Sequence, residues 1–392
     1  MMDFELSPDQ AEIRDLVRKV SQERFRPTAF DRRHDFEPPE ENLKLLGELG
    51  ILGMALPEEY GGGGRGEFDA IVALEEISRG CPVTGNYALL SMVGPSSFIS
   101  KLGSDEQKSR YLPPVIEGRE RFCISLTEPE AGSALTDLKT RAEIRGDECV
   151  INGQKTFCSG GPHADHFLVF VRFGPGTDGI GAVIVSRDAP GLTMSATHRH
   201  ISGEGWVELF FDDATIPVEN VLATENAFRK LMAAFSLERC GAAIYVLGVA
   251  RIAFELAVEY AEDRRQFGRQ ISDFQFVQGK LADMYIALES ARLLVLRAIV
   301  RGADGLPSRL DSAAAKIAAT EAACMVTDTA MQIHGGTGMS QEMPLEWLYR
   351  VVRPYLVAGG TSDILRGGIA SELVGRRLDQ RLPKPQPAPA SA

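Results

Sequence analysis

Glu238 has the setting in this sequence best suited to acid–base chemistry. It stands in Ser236-Leu237-Glu238-Arg239, directly before an almost uncharged run from Cys240 to Ala250. A carboxylate at the edge of a buried element loses hydration, its pKa rises, and it becomes a better base near neutral pH. The plain alternative is a solvated Glu238–Arg239 pair at a helix start, where an acid is favourable in any case. Further on, Arg264-Arg265-Gln266-Phe267-Gly268 closes the same stretch with an arginine pair and a Phe-Gly stop, next to solvent or a partner. Glycines recur in Gln332-Ile333-His334-Gly335-Gly336-Thr337-Gly338 and in Gly359-Gly360-Thr361-Ser362-Asp363-Ile364. By pattern alone, glycines such as Gly335 and Gly336 read as a helix C-cap.

Other signals carry less. Pro57-Glu58-Glu59-Tyr60-Gly61-Gly62-Gly63-Gly64 has the glycine density of a phosphate cradle. No strand precedes it and no Lys-Ser/Thr follows, so it reads as a flexible connection between helices. His163-Ala164-Asp165-His166 offers two imidazoles, whereas a metal site needs three or four ligands, so no metal is expected. Cys240 reads as core, because nothing nearby would partner a thiolate. Phe157, taken alone, reads as a strand aromatic packed in a core.

The elements that must position these residues follow from local pattern. From Ser236 to Arg265 there is no proline and Ala, Leu, Ile and Glu dominate, which predicts a helix about 45 Å long at ~1.5 Å per residue. Its first half is apolar on every face and is expected to be buried all round. Residues 1–120 read as helices. Ser7-Pro8-Asp9-Gln10 and Ser104-Asp105-Glu106-Gln107 are capping boxes, and Pro113-Pro114 is expected to end the second of these helices. Around Arg121 the period changes. Phe122 to Leu126 reads as a short strand, and Lys139 to Phe157 as a hairpin turning at Gly146-Asp147. Phe167 to Phe173, Gly181 to Ser186 and Trp206 to Asp212 are further strands. Helical signals return by Asn226 and persist to Leu378, with breaks at Gly302 to Ser308 and Gly335 to Pro344. The class is α+β, with domains at 1–120 (helical), 121–225 (a small β unit, barrel or sandwich) and 226–380 (helical), and a disordered tail at 381–392.

Four motifs occur in order: Thr127-Glu128-Pro129-Glu130-Ala131-Gly132-Ser133, Arg264 to Gly268 with Phe274-Gln275, Gln332 to Gly338, and Gly359 to Ile364. Together they resemble the signatures of the acyl-CoA dehydrogenase family over roughly the whole chain. The resemblance implies that family's fold, with an N-terminal helical domain, a middle β-barrel domain and a C-terminal four-helix bundle. It also implies FAD as cofactor, an acyl-CoA substrate, an electron-transfer flavoprotein as partner and a homotetramer. In that chemistry a carboxylate takes the proton next to the thioester and hydride passes to flavin N5. Most members carry the base just before the Gly-Thr of the last motif, where this chain has Gly359. The isovaleryl-type and long-chain-type members carry it instead in a Glu-Arg pair on the long helix, matched here by Glu238-Arg239.

The same resemblance implies the remaining site residues. Leu126, Thr127 and Ser133 would line one side of FAD, with Ser133 and Arg239 also meeting substrate. Phe157 and Ser159 occupy the family's Trp-x-Thr/Ser positions, the ring covering the isoalloxazine and the hydroxyl near N5. Phenylalanine here keeps the aromatic surface and loses the indole donor. Arg264, Phe267 and Gln275, with Gln332, Gly335 and Gly336, resemble the residues that hold the FAD diphosphate and adenosine of a neighbouring subunit. Arginine pairs bidentately with such a group and glycines let backbone N–H groups approach it. Thr361 and Asp363 match the remaining flavin contacts. His198-Arg199-His200 replaces a longer loop near the cofactor and either shapes substrate selection or forms a surface turn.

Relatives with a Gly-Gly-Thr/Ser motif leave alternatives open. Desulfinase-type members lack the Glu on the long helix. Crotonobetainyl-type enoyl-CoA reductases keep a Glu-Arg, so the direction of reaction stays open. A non-catalytic flavin-binding scaffold is disfavoured by the retained carboxylate. A net charge of −12 argues against binding a nucleic-acid backbone. Six scattered cysteines without a Cys-x-x-Cys pair fit reduced thiols in a cytoplasmic protein. No apolar signal segment opens the chain, and no run is expected to reach the ~18 apolar residues of a membrane span.

Overall fold

The computed structural model describes residues 6–34, 36–224 and 226–378. The tail expected at 381–392 lies outside the described residues. Seven helices come first: α1 (Pro8–Val20), α2 (Arg26–Ala29), α3 (Glu40–Glu48), α4 (Glu67–Gly80), α5 (Pro82–Met92), α6 (Pro95–Leu102) and α7 (Asp105–Ile116). Both capping boxes form. Ser7 and Ser104 each accept from the backbone N–H three residues on, and the Gln10 and Gln107 side chains bond back to the cap. Pro113 and Pro114 do not end α7, which continues through them to Ile116. Each proline gives up the N–H bond that its position would make four residues back, and the helix still closes, with the Glu117 N–H on the Pro113 carbonyl.

A single nine-stranded sheet follows. Its strands are β1 (Phe122–Ser125), β2 (Arg141–Arg145), β3 (Glu148–Ser159), β4 (His166–Arg172), β5 (Ile180–Ser186), β6 (Leu192–Met194), β7 (His198–Arg199), β8 (Gly205–Pro217) and β9 (Val221–Ala223). The order is β6-β8-β3-β2-β4-β5-β9, with β1 parallel to β4 and β7 on β8. The expected hairpin is present, with Arg145 opposite Glu148 across Gly146-Asp147.

The C-terminal region holds α8 (Phe228–Asp263), the two-stranded pair β10 (Arg265–Gln266) and β11 (Arg269–Gln270), α9 (Gln275–Val300), α10 (Arg309–His334), α11 (Leu345–Val352) and α12 (Ser362–Leu373). The long helices α8, α9 and α10 pack on one another, and α12 packs on α10. Every residue from Cys240 to Ala250 is buried, as an all-round apolar helix requires. By length and composition α8 could cross a membrane, contrary to the expectation that no run reaches that size. However, 72% of its most apolar stretch is packed inside the protein, which marks it as the core helix. Glycines set its close approaches: a Cβ on Gly241 would strike the side chain of Val93, the residue that follows α5, and one on Gly248 would lie 2.6 Å from the Glu75 carbonyl on α4.

The helix begins at Phe228, so Glu238 lies roughly ten residues in, nearly three turns past the N-terminus. The reading of Glu238 as a first-turn acid in a favourable dipole is therefore corrected. The helix-end field fades within the first turn, so something else must account for a carboxylate there.

Candidate active site

Glu238 faces the turn that follows the 3-10 segment Arg353–Leu356. Gly359 and Gly360 in that turn have φ of 71° and 97°, a left-handed backbone that favours glycine. Arg239 Nε donates to the Gly359 carbonyl at 2.8 Å, and the Arg239 guanidinium lies 4.9 Å from the Phe235 ring. Lys316 Nζ, on α10, donates to the Gly360 carbonyl at 2.8 Å. Two cations thus hold the glycine turn beside Glu238. The Glu238 atom Oε2 is fully enclosed and has no hydrogen-bond partner. Burial pushes the Glu238 carboxyl up to about 7, against the pull of Arg239 and then Lys316. Burial also lowers Lys316, to about 8. The pair at 238–239 is therefore not a solvated ion pair: its arginine is committed to the turn and its carboxylate is left unsatisfied. A buried acceptor without a partner is costly, and an active site is where such a group is expected.

A second group assembles on the sheet. The Leu126–Ser133 loop is pinned from behind by a buried ion pair, Lys155 Nζ to Glu128 Oε1 at 2.8 Å. Lys155 also donates to the Leu126 carbonyl at 3.0 Å, and Glu128 accepts from the Thr140 N–H at 2.9 Å. The Thr156 N–H donates to the Thr127 carbonyl at 2.9 Å, joining the loop to β3. Leu126 packs against the cluster that contains Phe235 of α8, which ties this loop to the neighbourhood of Glu238. The β3–β8 register shifts between Lys155 and Cys158, and within that bulge Phe157 has φ of 54°. A bulky residue in that backbone region is strained, and such strain persists where a bulge re-aims a side chain. Here it turns the Phe157 ring outward, 54% exposed, which corrects the reading of Phe157 as core. The ring lies 4.6 Å from Trp206, which in turn stacks on His198 at 4.5 Å. His200 Nε2 is 2.9 Å from Ser159 Oγ. His198-Arg199-His200 is thus no mere surface turn: its first two residues pair with β8, and its third touches a predicted site hydroxyl.

The third group stands apart. Arg264 ends α8 and Gln275 begins α9, while Gln332, Gly335 and Gly336 lie at the end of α10. All are exposed, and Phe267 is 94% exposed. Tyr260 stacks on His334 at 4.2 Å, which brings the α8 and α10 ends together. From Glu238 to Arg264 is roughly 26 residues, about 39 Å along the helix, so these residues and Glu238 belong to opposite ends of the domain. Thr361 caps α12, its Oγ1 accepting from the Ile364 N–H at 3.1 Å, and Asp363 is exposed in the first turn of that helix. His163 and His166 are each paired with a different carboxylate, Glu37 at 2.6 Å and Glu120 at 3.0 Å. Cys240 is buried and its thiol is pushed up to about 12, first by burial.

Sequence reasoning missed Lys316 and Glu204. A single lysine inside Ala313 to Ala319, otherwise Ala and Ile, was a signal: a charge within a buried apolar face needs a partner. Glu204 sits in Gly203-Glu204-Gly205, and nothing in that tripeptide marks it as interior.

Three family models match the chain: the acyl-CoA dehydrogenase N-terminal domain at 7–119, the middle domain at 123–214 and the C-terminal domain at 228–374. A 3-sulfinopropanoyl-CoA desulfinase of Paraburkholderia xenovorans (strain LB400) is 39% identical over 386 residues, 96% of this chain and 99% of that protein. An acryloyl-CoA reductase (NADH) of Anaerotignum propionicum is 35% identical over 384 residues, 96% of this chain and 97% of the relative. The butyryl-CoA dehydrogenase of Megasphaera elsdenii has a similar structure, with a TM-score of 0.90 at 32% identity over 95% of this chain and all of that one. Matched by all three domain models from residue 7 to residue 374, the chain belongs to the acyl-CoA dehydrogenase family.

Proposed function

We propose that this protein is an FAD-dependent acyl-CoA dehydrogenase in which Glu238 takes the α-proton of an acyl-CoA thioester to give the 2-enoyl-CoA. The observation that carries this reading is the enclosed, unpartnered Oε2 of Glu238 beside a glycine turn held by Arg239 and Lys316. Its carboxyl, pushed up to about 7, is a base matched to neutral pH. When bound, FAD supplies the hydride acceptor at N5. The residues fit that group. The outward Phe157 ring, backed by Trp206, offers a flat apolar face for the isoalloxazine; Ser159 follows it on the same strand, the Thr127 carbonyl is bonded to the neighbouring Thr156 N–H, and Leu126 and Ser133 are proposed to complete the border. Arg239 fixes the turn through its bond to Gly359 and completes, with Ser133, the substrate side.

Arg264, Phe267, Gln275, Gln332, Gly335 and Gly336 would hold the diphosphate and adenosine of a second copy's FAD, with Thr361 and Asp363 supplying further contacts. Their distance from Glu238, and a nearly fully exposed Phe267, support an assembly in which one chain completes another's cofactor site. A homotetramer with an electron-transfer flavoprotein as acceptor is the form we propose, in a cytoplasmic setting that suits six free cysteines. The domain limits proposed are 1–120, 121–225 and 226–380.

A second reading is favoured by the 39% identical relative: removal of the sulfinate group from 3-sulfinopropanoyl-CoA. The 35% identical reductase similarly favours the reverse direction, from enoyl-CoA to acyl-CoA. One anaerobic experiment separates the three. Bleaching of the bound flavin by saturated acyl-CoAs supports the dehydrogenase. Loss of sulfinate without bleaching supports the desulfinase, and reoxidation of chemically reduced flavin by an enoyl-CoA alone supports the reductase.

A further inference from the structure

We propose that Glu204, Asn86, Tyr245 and Tyr355 form the far end of the acyl pocket and select an acyl chain that carries a hydrogen-bond donor, a hydroxyl or an ammonium group, away from the thioester. This rests on the reading that Glu238 meets the near end of the same chain. Glu204 reaches in from the turn between β7 and β8. Its Oε1 accepts from Asn86 Nδ2 at 3.0 Å, and Asn86 Oδ1 accepts from the Tyr355 hydroxyl at 2.6 Å. The Tyr355 ring lies 5.1 Å from the ring of Tyr245. Tyr245 is fully buried, and its hydroxyl has no partner. Buried hydroxyls are normally paired, so a lone one at the end of a polar chain points to a ligand group.

Tyr245, which packs against Tyr355, and Glu238 lie on one face of α8. Tyr245 follows Glu238 by two turns of α8, which returns it to the same face. Helix α5, which carries Asn86, crosses α8 at Gly241, between those two residues, with Val93 and Leu89 packed on the glycine. Tyr355 lies within electrostatic reach of both Glu204 and Glu238, and its segment runs on to the Gly359 turn. Glu204, Tyr355 and Glu238 all keep some accessible surface, yet burial pushes each upward, Glu204 to about 7.

The chemistry of the far end is acceptor-rich. No cation bonds to Glu204 among the described residues, and Asn86 supplies its one side-chain donor. A carboxylate or sulfinate tail would meet the Glu204 carboxyl with no cation to compensate it, least favourably above pH 7, where that carboxyl is ionised. A hydroxyl or ammonium would satisfy Glu204 and the Tyr245 hydroxyl together. A purely alkyl tail would leave both unpaired, and sites of this kind discriminate strongly against analogues that lack the polar group.

The test reads binding rather than turnover. FAD-loaded Glu238→Gln protein is titrated calorimetrically with butyryl-CoA, 4-hydroxybutyryl-CoA, 4-aminobutyryl-CoA and succinyl-CoA. At least one donor-bearing ligand is expected to bind about tenfold or more tighter than butyryl-CoA, with succinyl-CoA weakest. Tyr245→Phe, added to that background, should shrink the preference. Glu204→Gln, which keeps an acceptor and loses the charge, should abolish a preference for the ammonium and retain one for the hydroxyl. Butyryl-CoA binding as tightly as both donors, succinyl-CoA binding tightest, or a preference that neither substitution changes would overturn the proposal. In the last case the cluster is a structural clamp, and only the melting temperature would move. Because the background cannot take the α-proton, a wild type that turns over no acyl-CoA overturns the dehydrogenase reading separately.

Discussion

A Cβ built on Gly359 would lie 3.9 Å from Oε2 of Glu238. The two positions at which the family places its base therefore converge on one point, from the long helix and from the turn after Tyr355. Moving the carboxylate, Glu238→Gly with Gly359→Glu, should restore part of the activity that Glu238→Gly loses. The turn resists, because Gly359 has φ of 71°. Glutamate there should cost about 1–2 kcal/mol of stability. Flavin reduction rates and thermal melts of both variants check the two halves of this prediction; a double variant no faster than Glu238→Gly contradicts it.

Lys316 should tune the base. Glu238 is raised by burial and held down by Arg239 and Lys316, and it works only when ionised. Lys316→Met removes one of the two positive charges, so the Glu238 pKa should rise. The rate of flavin reduction is expected to climb through a midpoint near 7 in the wild type and at a higher pH in the variant. The variant should be slower below its midpoint, and the two rates should converge above it. A midpoint that stays or falls would remove Lys316 from the account.

Phe157 should report the flavin without being needed for the fold. It is half-exposed, so Phe157→Ala leaves no large core cavity and should melt within about 1 kcal/mol of wild type. Its visible flavin band should nonetheless shift. Phe157→Gly suits the φ of 54° better and should be at least as stable as the alanine variant while showing the same shift. An unchanged spectrum in both would show that the ring does not meet the cofactor.

How much of this was legible beforehand depended on the range of the signal. Capping boxes, the Gly146-Asp147 hairpin and the uncharged stretch after Glu238 are written in neighbouring residues, and the elements formed where those residues stand. The start of α8 was misplaced because residues 228–235 contain no cap; that stretch is helical because Leu231, Ala234 and Phe235 pack on the sheet and on α6. Strand pattern alone reads Phe157 as core, because a left-handed bulge cannot be seen in composition; only the family resemblance places its ring on the cofactor. Lys316 and Glu204 escaped notice because their partners, the Gly360 carbonyl and Asn86, are distant in sequence.

Arg264 should matter for cofactor and assembly rather than for the proton. It is exposed, and no ion pair engages it among the described residues. Arg264→Ala is expected to lose FAD and to loosen the oligomer while the single chain stays folded. Gel filtration and the absorbance ratio of the purified protein check this. A yellow variant with the wild-type elution volume would contradict the shared site.

The central claim is that Glu238 takes the proton. Glu238→Gln keeps the shape and hydrogen-bonding capacity of the side chain but cannot accept a proton, and its FAD content should match wild type. Stopped-flow flavin reduction with the best acyl-CoA of a panel is the direct measurement. The account predicts a rate lower by about 10²–10⁴-fold, or roughly 3–5 kcal/mol of barrier. A Glu238→Gln protein that reduces its flavin at the wild-type rate would place the base elsewhere.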